Sequence, residues 1–317
     1  MKICCISHSN IALRQQKFWK EFSKLAEVLV ISPKQIGKLQ AHNETQGNYE
    51  LFTDDIIDGQ NMQTYYFTPK TFEKIQLFKP DIIYQQNDVG SVQCIISQQW
   101  AKMLGAEYVQ YCWENVRYPT PEQDLFLKRC DLIIAGSEEA KEIHGANYIL
   151  PQVGIDYKEF SSIFSEKKYD VLFLGRNDPL KGIEYIKQAY PDTVFMTDIP
   201  YDTVPLVLSQ TRIFVTYPHE NDYWAEQWLS YAVVEAMASG CCVITSDTKS
   251  VKSWAKDSPI ILVPMHNPEK LKEEIIGLLG NRNRQAELSL ECQKFSQQFD
   301  NKVIAQKLYK IFETKVI

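Results

Sequence analysis

The sequence feature that most constrains the fold is an alternation of short β-branched runs with longer amphipathic stretches. In chain order it begins with KICCIS, IALRQQKFWKEFSKLA and EVLVIS, and continues with DIIYQQ, QCIISQQWAKMLGA and DLIIAGS. Strands separated by helices of this length join through right-handed crossovers and form a parallel, doubly wound sheet. The sequence therefore predicts an α/β protein.

The alternation restarts after a segment that contains Pro and Gly near residues 150–165, where YDVLFLG opens a second series of strands. A chain of 317 residues is longer than one hydrophobic core usually organises. We therefore expect one doubly wound domain over residues 1–155 and another over residues 156–300. Residues 301–317 are predicted to form a helix that could pack on either domain, including back on the first. Ligands of open α/β sheets bind beyond the carboxyl ends of strands, so we expect the site in a cleft between two facing sheets.

Charge and composition indicate which classes of binding partner and which cellular compartment are expected. The net charge of -6 and the pI near 5.5 give no broad basic field for nucleic acid, and they argue against stable anchoring to an anionic membrane. No segment resembles a signal peptide or a membrane span, so we expect a soluble, cytoplasmic protein. The eight cysteines form no C-x-x-C motif and are predicted to fill the core, and we expect no metal site.

One candidate binding motif lies in VLFLGRNDPLKGIEYI, residues 171–186. Its pattern predicts a strand, a turn rich in polar residues and the start of a helix, with Arg176 and Lys181 on the two flanks of the turn. The fork of an Arg and the point charge of a Lys suit a diphosphate. The alternative is a solvated turn that carries two ordinary surface cations.

A second motif is EQWLSYAVVEAMASGCCVITSD, residues 226–247. A helix is predicted to begin near Ser230 or Tyr231, so the free amides of its first turn could bind a phosphate or a sugar hydroxyl. Glu235 lies one turn further, inside an apolar stretch, and we expect it to be buried. The two hydroxyls of a ribose would satisfy its carboxylate. The alternatives are a partly exposed Glu favoured by the helix dipole, or a Glu paired with an Arg.

Together these segments resemble the retaining family 4 glycosyltransferases (glycosyl transferases group 1), which have the GT-B fold of two Rossmann-like domains. GRNDPLKG is similar to the family's strand-terminal G-R-x4-K-G, and residues 226–247 are similar to its Glu-x7-Glu segment. The resemblance implies transfer of a sugar from a nucleotide-sugar donor, with retention of configuration and without a cofactor or bound metal. It also implies that Arg176 and Lys181 bind the donor diphosphate and that Glu235 binds the ribose. The acceptor, whether a glycan, a lipid-linked sugar or a small molecule, stays open.

The sequence departs from the family at the first acidic position. Gln227 stands eight residues before Glu235, and Glu226 precedes it by one. In the family this residue contacts the transferred sugar, so we expect Gln227 or Glu226 to orient it. Glutamine can bind hydroxyls but carries no charge to stabilise an oxocarbenium ion. Two alternative functions therefore stay open: a sugar-nucleotide epimerase on the same fold, and a non-catalytic nucleotide-sugar-binding subunit.

The first domain departs as well, since it lacks the glycine-rich first loop and the later His that many family members have. Polar side chains at its predicted strand ends are candidates for contacts with the acceptor or the donor sugar, and Glu114 is also a candidate for the chemical step. They are His8, Asn10, Asp88, Trp113, Glu114 and Asn115. For each of them the alternative is a structural role.

Overall fold

The computed structural model describes residues 1–37, 39–41, 48–59, 61–222, 225 and 228–315. Glu226 and Gln227, the two candidates for orienting the sugar, lie outside the described residues. The chain divides into two compact units. The first consists of Met1–Gly154 and Asn301–Ile317, and the second is Ile155–Asp300.

The secondary structure follows the predicted alternation along both units. The strands are β1 (Lys2–Ile6), β2 (Glu27–Pro33), β3 (Gln35–Ile36), β4 (Leu39–Gln40), β5 (Glu50–Asp54), β6 (Ile56–Ile57), β7 (Tyr66–Phe67), β8 (Ile82–Gln85), β9 (Glu107–Cys112), β10 (Leu132–Ala135), β11 (Tyr148–Ile149), β12 (Tyr169–Leu174), β13 (Val194–Met196), β14 (Thr211–Val215), β15 (Cys242–Ser246) and β16 (Ile261–Val263). The helices are α1 (Leu13–Phe22), α2 (Pro69–Phe78), α3 (Val92–Leu104), α4 (Pro121–Leu127), α5 (Glu138–His144), α6 (Tyr157–Ser161), α7 (Ile183–Ala189), α8 (Val204–Ser209), α9 (Tyr231–Ala238), α10 (Lys249–Trp254), α11 (Pro268–Leu279), α12 (Arg282–Ser296) and α13 (Asn301–Glu313).

The first unit is built on a parallel sheet with the strand order β11-β10-β9-β8-β1-β2-β5. Cys4 pairs in register with Leu29 and Ile83, and all three belong to the core on one face of the sheet. Because successive residues of a strand point to opposite faces, the next residue of β8, Tyr84, lies on the other face. There it contacts Trp19 of α1, with ring centroids 6.2 Å apart. Both faces are thus covered, as a doubly wound sheet requires.

Helix α13 belongs to the first unit although it follows the second unit in the chain. Its Phe312 lies edge-on to Tyr84 of the sheet, at 5.2 Å, and to Phe22 of α1, at 6.0 Å. Aromatic pairs in this geometry add to the free energy gained by burying their apolar surface. These contacts fix the last helix to the face of the sheet that α1 also covers.

The second unit is a parallel sheet with the order β13-β12-β14-β15-β16. Leu172 and Phe214 face a core formed with α8, α9 and α12, whereas Val171 and Ile213 face a core formed with α7 and α11. The predicted doubly wound architecture is therefore present in this unit too.

The remaining predictions about the chain's interior concern the cysteines. All eight are free, and each is buried except Cys130, which is half-buried. The prediction that they fill the core is confirmed. Within the described ranges, every helix is too short or too polar to span a lipid bilayer.

Candidate functional site

The turn after β12 has the predicted strand, turn and helix order. The Asp178 carboxylate accepts a hydrogen bond from the backbone N–H of Leu180 at 2.9 Å, which starts a short 3-10 turn over Pro179–Lys181. Gly182 follows with φ +66°, in the left-handed region that glycine tolerates best, and α7 begins at the next residue. The exposed Arg176 and the half-buried Lys181 thus flank a turn at the carboxyl edge of the sheet.

The loop that follows β14 packs directly against this turn. The backbone N–H of His219 donates to the carbonyl oxygen of Leu180 at 2.9 Å. A Cβ atom at Gly182 would lie 2.0 Å from the carbonyl oxygen of Tyr217 and 3.1 Å from Nε2 of His219. The position of the two cations is therefore set by tertiary packing as well as by local turn chemistry, and Gly182 is required for the close approach.

A cluster of aromatic side chains supports this packing. The rings of His219 and His266 stack 4.5 Å apart at an angle of 6°, and Tyr185 approaches His219 edge-on at 4.6 Å. The Tyr185 hydroxyl lies 3.1 Å from Nδ1 of His266. Burial, together with the neighbouring His266, lowers the pKa of His219 to about 4. His219 is therefore neutral at neutral pH and does not repel the nearby cations.

Helix α9, which follows β14, carries the predicted carboxylate. Its N-cap is Ser230, whose hydroxyl oxygen accepts from the N–H of Val233 at 3.4 Å. Ser230 has φ +69° and ψ 150°, a conformation that is costly for a residue with a side chain and that is found mostly at functional sites. Glu235 is 1% exposed, so the prediction that it is buried is confirmed.

Glu235 has a protein partner that the sequence analysis missed. The hydroxyl of Tyr201 donates to Oε1 of Glu235 at 3.0 Å. Tyr201 begins a short turn after β13, 34 residues before the carboxylate, and no local motif connects the two residues. This neutral donor helps to keep the buried carboxylate in one orientation.

The two cations and the buried carboxylate lie at the carboxyl edge of the second sheet because β13, β12 and β14 are neighbours in it. Tyr201 follows the first of these strands, Arg176 and Lys181 follow the second, and α9 follows the third. The edge therefore presents two cations, the N-terminus of a helix and a buried carboxylate. This combination suits a ligand in which an anionic group is joined to a group rich in hydroxyls.

The first unit gathers three of the predicted side chains. His8, Asp88 and Trp113 follow β1, β8 and β9, which are adjacent in the sheet. The rings of His8 and Trp113 lie 6.2 Å apart. Burial lowers the pKa of His8 to about 4, so its imidazole is neutral. Burial also raises the pKa of Asp88, whose Oδ2 accepts from Nε2 of Gln63 at 2.7 Å.

Glu114 is engaged within its own loop. Its Oε1 accepts from the N–H of Val116 at 3.0 Å, and its Oε2 pairs with the guanidinium of Arg117 at 2.6 Å. Although burial opposes ionisation, Arg117 and these amides lower the pKa of Glu114. Nε2 of His144 lies 2.9 Å from the Glu114 carbonyl oxygen, and the neighbouring Asn115 is buried. Glu114 thus shapes the loop that follows β9.

Asn10, another candidate for a ligand contact, lies inside the first unit. Its side chain is fully buried, with Nδ2 donating to the Ile31 carbonyl oxygen at 2.9 Å and Oδ1 accepting from Nε1 of Trp19 at 3.1 Å. The amide thus joins the first loop to β2 and α1. The sequence did not show that Trp19 folds back over this loop.

The family comparison concerns the second unit. Residues 157–281 match the family model for glycosyl transferases group 1. This match covers most of the second unit. The matched range includes Arg176, Lys181 and Glu235. No curated protein sequence matches the chain significantly.

Solved structures resemble the chain over almost its whole length. HepE from Anabaena, in complex with UDP and glucose, has a TM-score of 0.71 at 14% identity over 99% of this chain and 100% of its own. Sucrose-phosphate synthase from Thermosynechococcus elongatus has a TM-score of 0.75 at 14% identity, covering 99% of this chain and 98% of its own. A glycosyltransferase from Rickettsia africae reaches 0.74 at 12% identity, with the same coverage. The predicted GT-B fold of two Rossmann-like domains is confirmed.

Proposed function

We propose that the protein is a glycosyltransferase that moves a sugar from a UDP-sugar donor to an acceptor hydroxyl. The observation that carries the proposal is the carboxyl edge of the second sheet, where the group 1 domain brings Arg176, Lys181 and Glu235 to neighbouring strands. The choice of UDP is supported by HepE, a protein of similar fold that is seen with UDP and glucose.

In this proposal the second unit binds the donor. Arg176 and Lys181 bind the diphosphate, and the amides at the start of α9, at Ser230 and Tyr231, add hydrogen bonds. Negative charge accumulates on the leaving UDP as its bond to the sugar breaks, so fixed cations stabilise the transition state more than the bound donor. Glu235, already oriented by Tyr201, accepts hydrogen bonds from the ribose hydroxyls.

The proposed chemical step takes place at the same donor site. Gln227 or Glu226 orients the transferred sugar, and the acceptor oxygen bonds to the anomeric carbon on the face that the leaving phosphate vacates. The acceptor proton passes to a phosphate oxygen. Because the new bond forms on the face from which the phosphate leaves, configuration is retained and no protein nucleophile is needed. Since two side-chain cations supply the positive charge, we propose that the reaction needs neither a metal nor a cofactor.

We assign the acceptor to the first unit, at the edge that carries His8, Asp88 and Trp113. An indole ring offers a face for stacking on a sugar, and a carboxylate accepts from its hydroxyls. The acceptor is a glycan, a lipid-linked sugar or a small molecule. The eight free cysteines fit a reducing compartment, which supports a cytoplasmic location.

Replacing Asp88 by Asn is expected to lower the rate of transfer at least tenfold while UDP affinity stays unchanged, because Asp88 lies in the first unit. Steady-state kinetics and UDP titration of the same variant measure both effects. Asp55→Asn is the control, since Asp55 is an exposed carboxylate of the same unit. Equal loss of transfer in the two variants would remove Asp88 from the acceptor site.

Titration calorimetry with UDP, GDP and ADP tests the donor site. UDP is expected to bind, and Arg176→Ala or Lys181→Ala should each raise its Kd roughly tenfold to a hundredfold, since a hydrogen bond to a charged group contributes about 1.5–3 kcal/mol. Lys187→Ala removes the same charge from an exposed position of α7 and should leave the Kd unchanged. If none of the nucleotides binds the folded protein, the proposed function is wrong.

Product analysis separates the alternative functions. With the sugar donor and an acceptor, a glycosyltransferase forms a glycoside and free UDP. Epimerised nucleotide sugar formed without any acceptor would identify an epimerase instead. Tight binding of UDP-sugar without turnover by any of the acceptor classes would identify a non-catalytic subunit.

A further inference from the structure

A cavity of about 200 Å³ opens at the amino-terminal edge of the second sheet, the edge opposite the proposed donor site. It lies between one face of α12 and the first residues of β14 and β15. Since a water molecule occupies about 30 Å³ in the liquid, this space holds a tetrahedral oxyanion together with a few waters.

Positive charge dominates the lining of this cavity. Lys167, Arg212 and Arg282 contribute to it, and none of its eight lining residues, all within the described chain, is acidic. Asp170 pairs with Nε of Arg212 at 3.0 Å, but its side chain is 62% exposed, so it balances only part of the charge. Positions 282, 285, 286 and 289 recur every three or four residues and form one face of α12, whereas Glu287 and Glu291 lie on the opposite face.

The neutral polar groups of the lining are already used by the protein. The hydroxyl of Ser289 donates to the Gly240 carbonyl oxygen at 2.8 Å, and Oε1 of Gln285 accepts from Nη1 of Arg282 at 3.2 Å. The cations retain more capacity, because Lys167 donates to the Thr211 carbonyl oxygen at 2.8 Å and an ammonium has three N–H groups. Recognition of a ligand here therefore depends on the two Arg side chains and one Lys.

The positive charge of Lys167 also acts in the interior of the unit. Burial raises the pKa of Cys242, which lines the cavity, to about 11, and the charges of Lys167 and Arg284 act against this rise. Cations gathered in this way repel each other, at a cost in stability, unless an anion lies between them.

We propose that this cavity binds a phosphate group, either as inorganic phosphate or as part of a small phosphomonoester. Arg side chains bind such oxyanions through paired N–H donors, and Lys adds a point charge. The cavity lies at the edge of the sheet that the donor does not use. The site is therefore independent of the proposed transferase activity.

The test uses the full-length Arg176→Ala/Lys181→Ala double variant, so that phosphate cannot bind at the proposed diphosphate turn. Inorganic phosphate is expected to raise the Tm above that in chloride of equal ionic strength, since a ligand of the native state stabilises it. Adding Arg282→Ala or Lys167→Gln to the double variant should raise the phosphate Kd at least tenfold. Adding Lys294→Ala is the matched control, because Lys294 is an exposed cation on the same helix outside the cavity, and it should leave the Kd unchanged.

Three results would overturn the proposal: no stabilisation by phosphate beyond chloride, an equal loss with Lys294→Ala, or an effect present in the wild type but absent from the double variant. The last would place phosphate at the donor turn. Titration with glycerol 3-phosphate distinguishes the two sources of the ligand. Tighter binding than inorganic phosphate indicates a phosphomonoester, and weaker binding indicates the free ion.

Discussion

Replacing Gly182 by Ala is expected to destabilise the second unit and to abolish measurable UDP binding. The new Cβ atom would lie 2.0 Å from the carbonyl oxygen of Tyr217, which is backbone and cannot rotate away. Overpacking typically costs about 1–3 kcal/mol and a left-handed conformation about 1–2 kcal/mol more, so the free energy of unfolding should fall by roughly 2–5 kcal/mol. Urea unfolding of the variant measures this loss.

The loss of binding has a separate cause. To relieve the clash, the turn that carries Arg176 and Lys181 must move away from the loop after β14, which breaks the bond between the His219 N–H and the Leu180 carbonyl oxygen. Displacing both cations by about an ångström removes the geometry that a diphosphate needs. Titration with UDP should therefore show no saturable binding, even at temperatures where the variant is folded.

Gly105→Ala is the control for backbone strain alone. Gly105 has φ +67°, almost the same as Gly182, but a Cβ atom there would have no atom within 4 Å. We expect a loss of about 1–2 kcal/mol and normal UDP binding. If both variants lose the same stability and both bind UDP, the packing of the turn against the loop does not position the cations.

The contrast between these glycines shows what could be predicted from the sequence. The alternation of short β-branched runs with amphipathic stretches predicts each sheet. The turn after β12 is predicted by its own Asn, Asp, Pro and Gly residues. Whether a Cβ at Gly182 meets an atom depends on Tyr217, which arrives from the neighbouring strand. No pattern within the turn carries that information.

Contacts from distant parts of the chain also explain the other features that the sequence did not predict. Glu235 was predicted to be buried because its helix is apolar, but its partner Tyr201 follows another strand. Asn10 was predicted as a candidate from its place near a strand end, and the structure adds that Nε1 of Trp19 donates to its side-chain oxygen. The stacked pair of His219 and His266 joins two loops that no short motif links. Strand-end position thus predicts which residues gather, and packing decides which of them are free to act.

Replacing Glu235 by Ala is expected to raise the Kd for UDP roughly tenfold to a hundredfold, because the hydrogen bonds of a carboxylate to the ribose contribute about 1.5–3 kcal/mol. Tyr201→Phe removes only the hydroxyl that orients the carboxylate, so its Kd should rise less. Glu235→Gln keeps the shape and one acceptor oxygen and should fall between the two. Titration calorimetry of the three variants gives this order.

The decisive measurement compares the affinity of the wild type and of each variant for UDP and for 2′-deoxy-UDP. The wild type should bind UDP more tightly than the deoxynucleotide, because the deoxyribose lacks one of the hydroxyls from which the carboxylate is proposed to accept. In Glu235→Ala that preference should disappear, since the two losses remove the same interaction and are not additive. If the variant is weak but still prefers UDP, Glu235 acts through the packing of α9 instead. Burying a carboxylate is costly to the fold, and the proposed interaction with the ribose would give that cost a function.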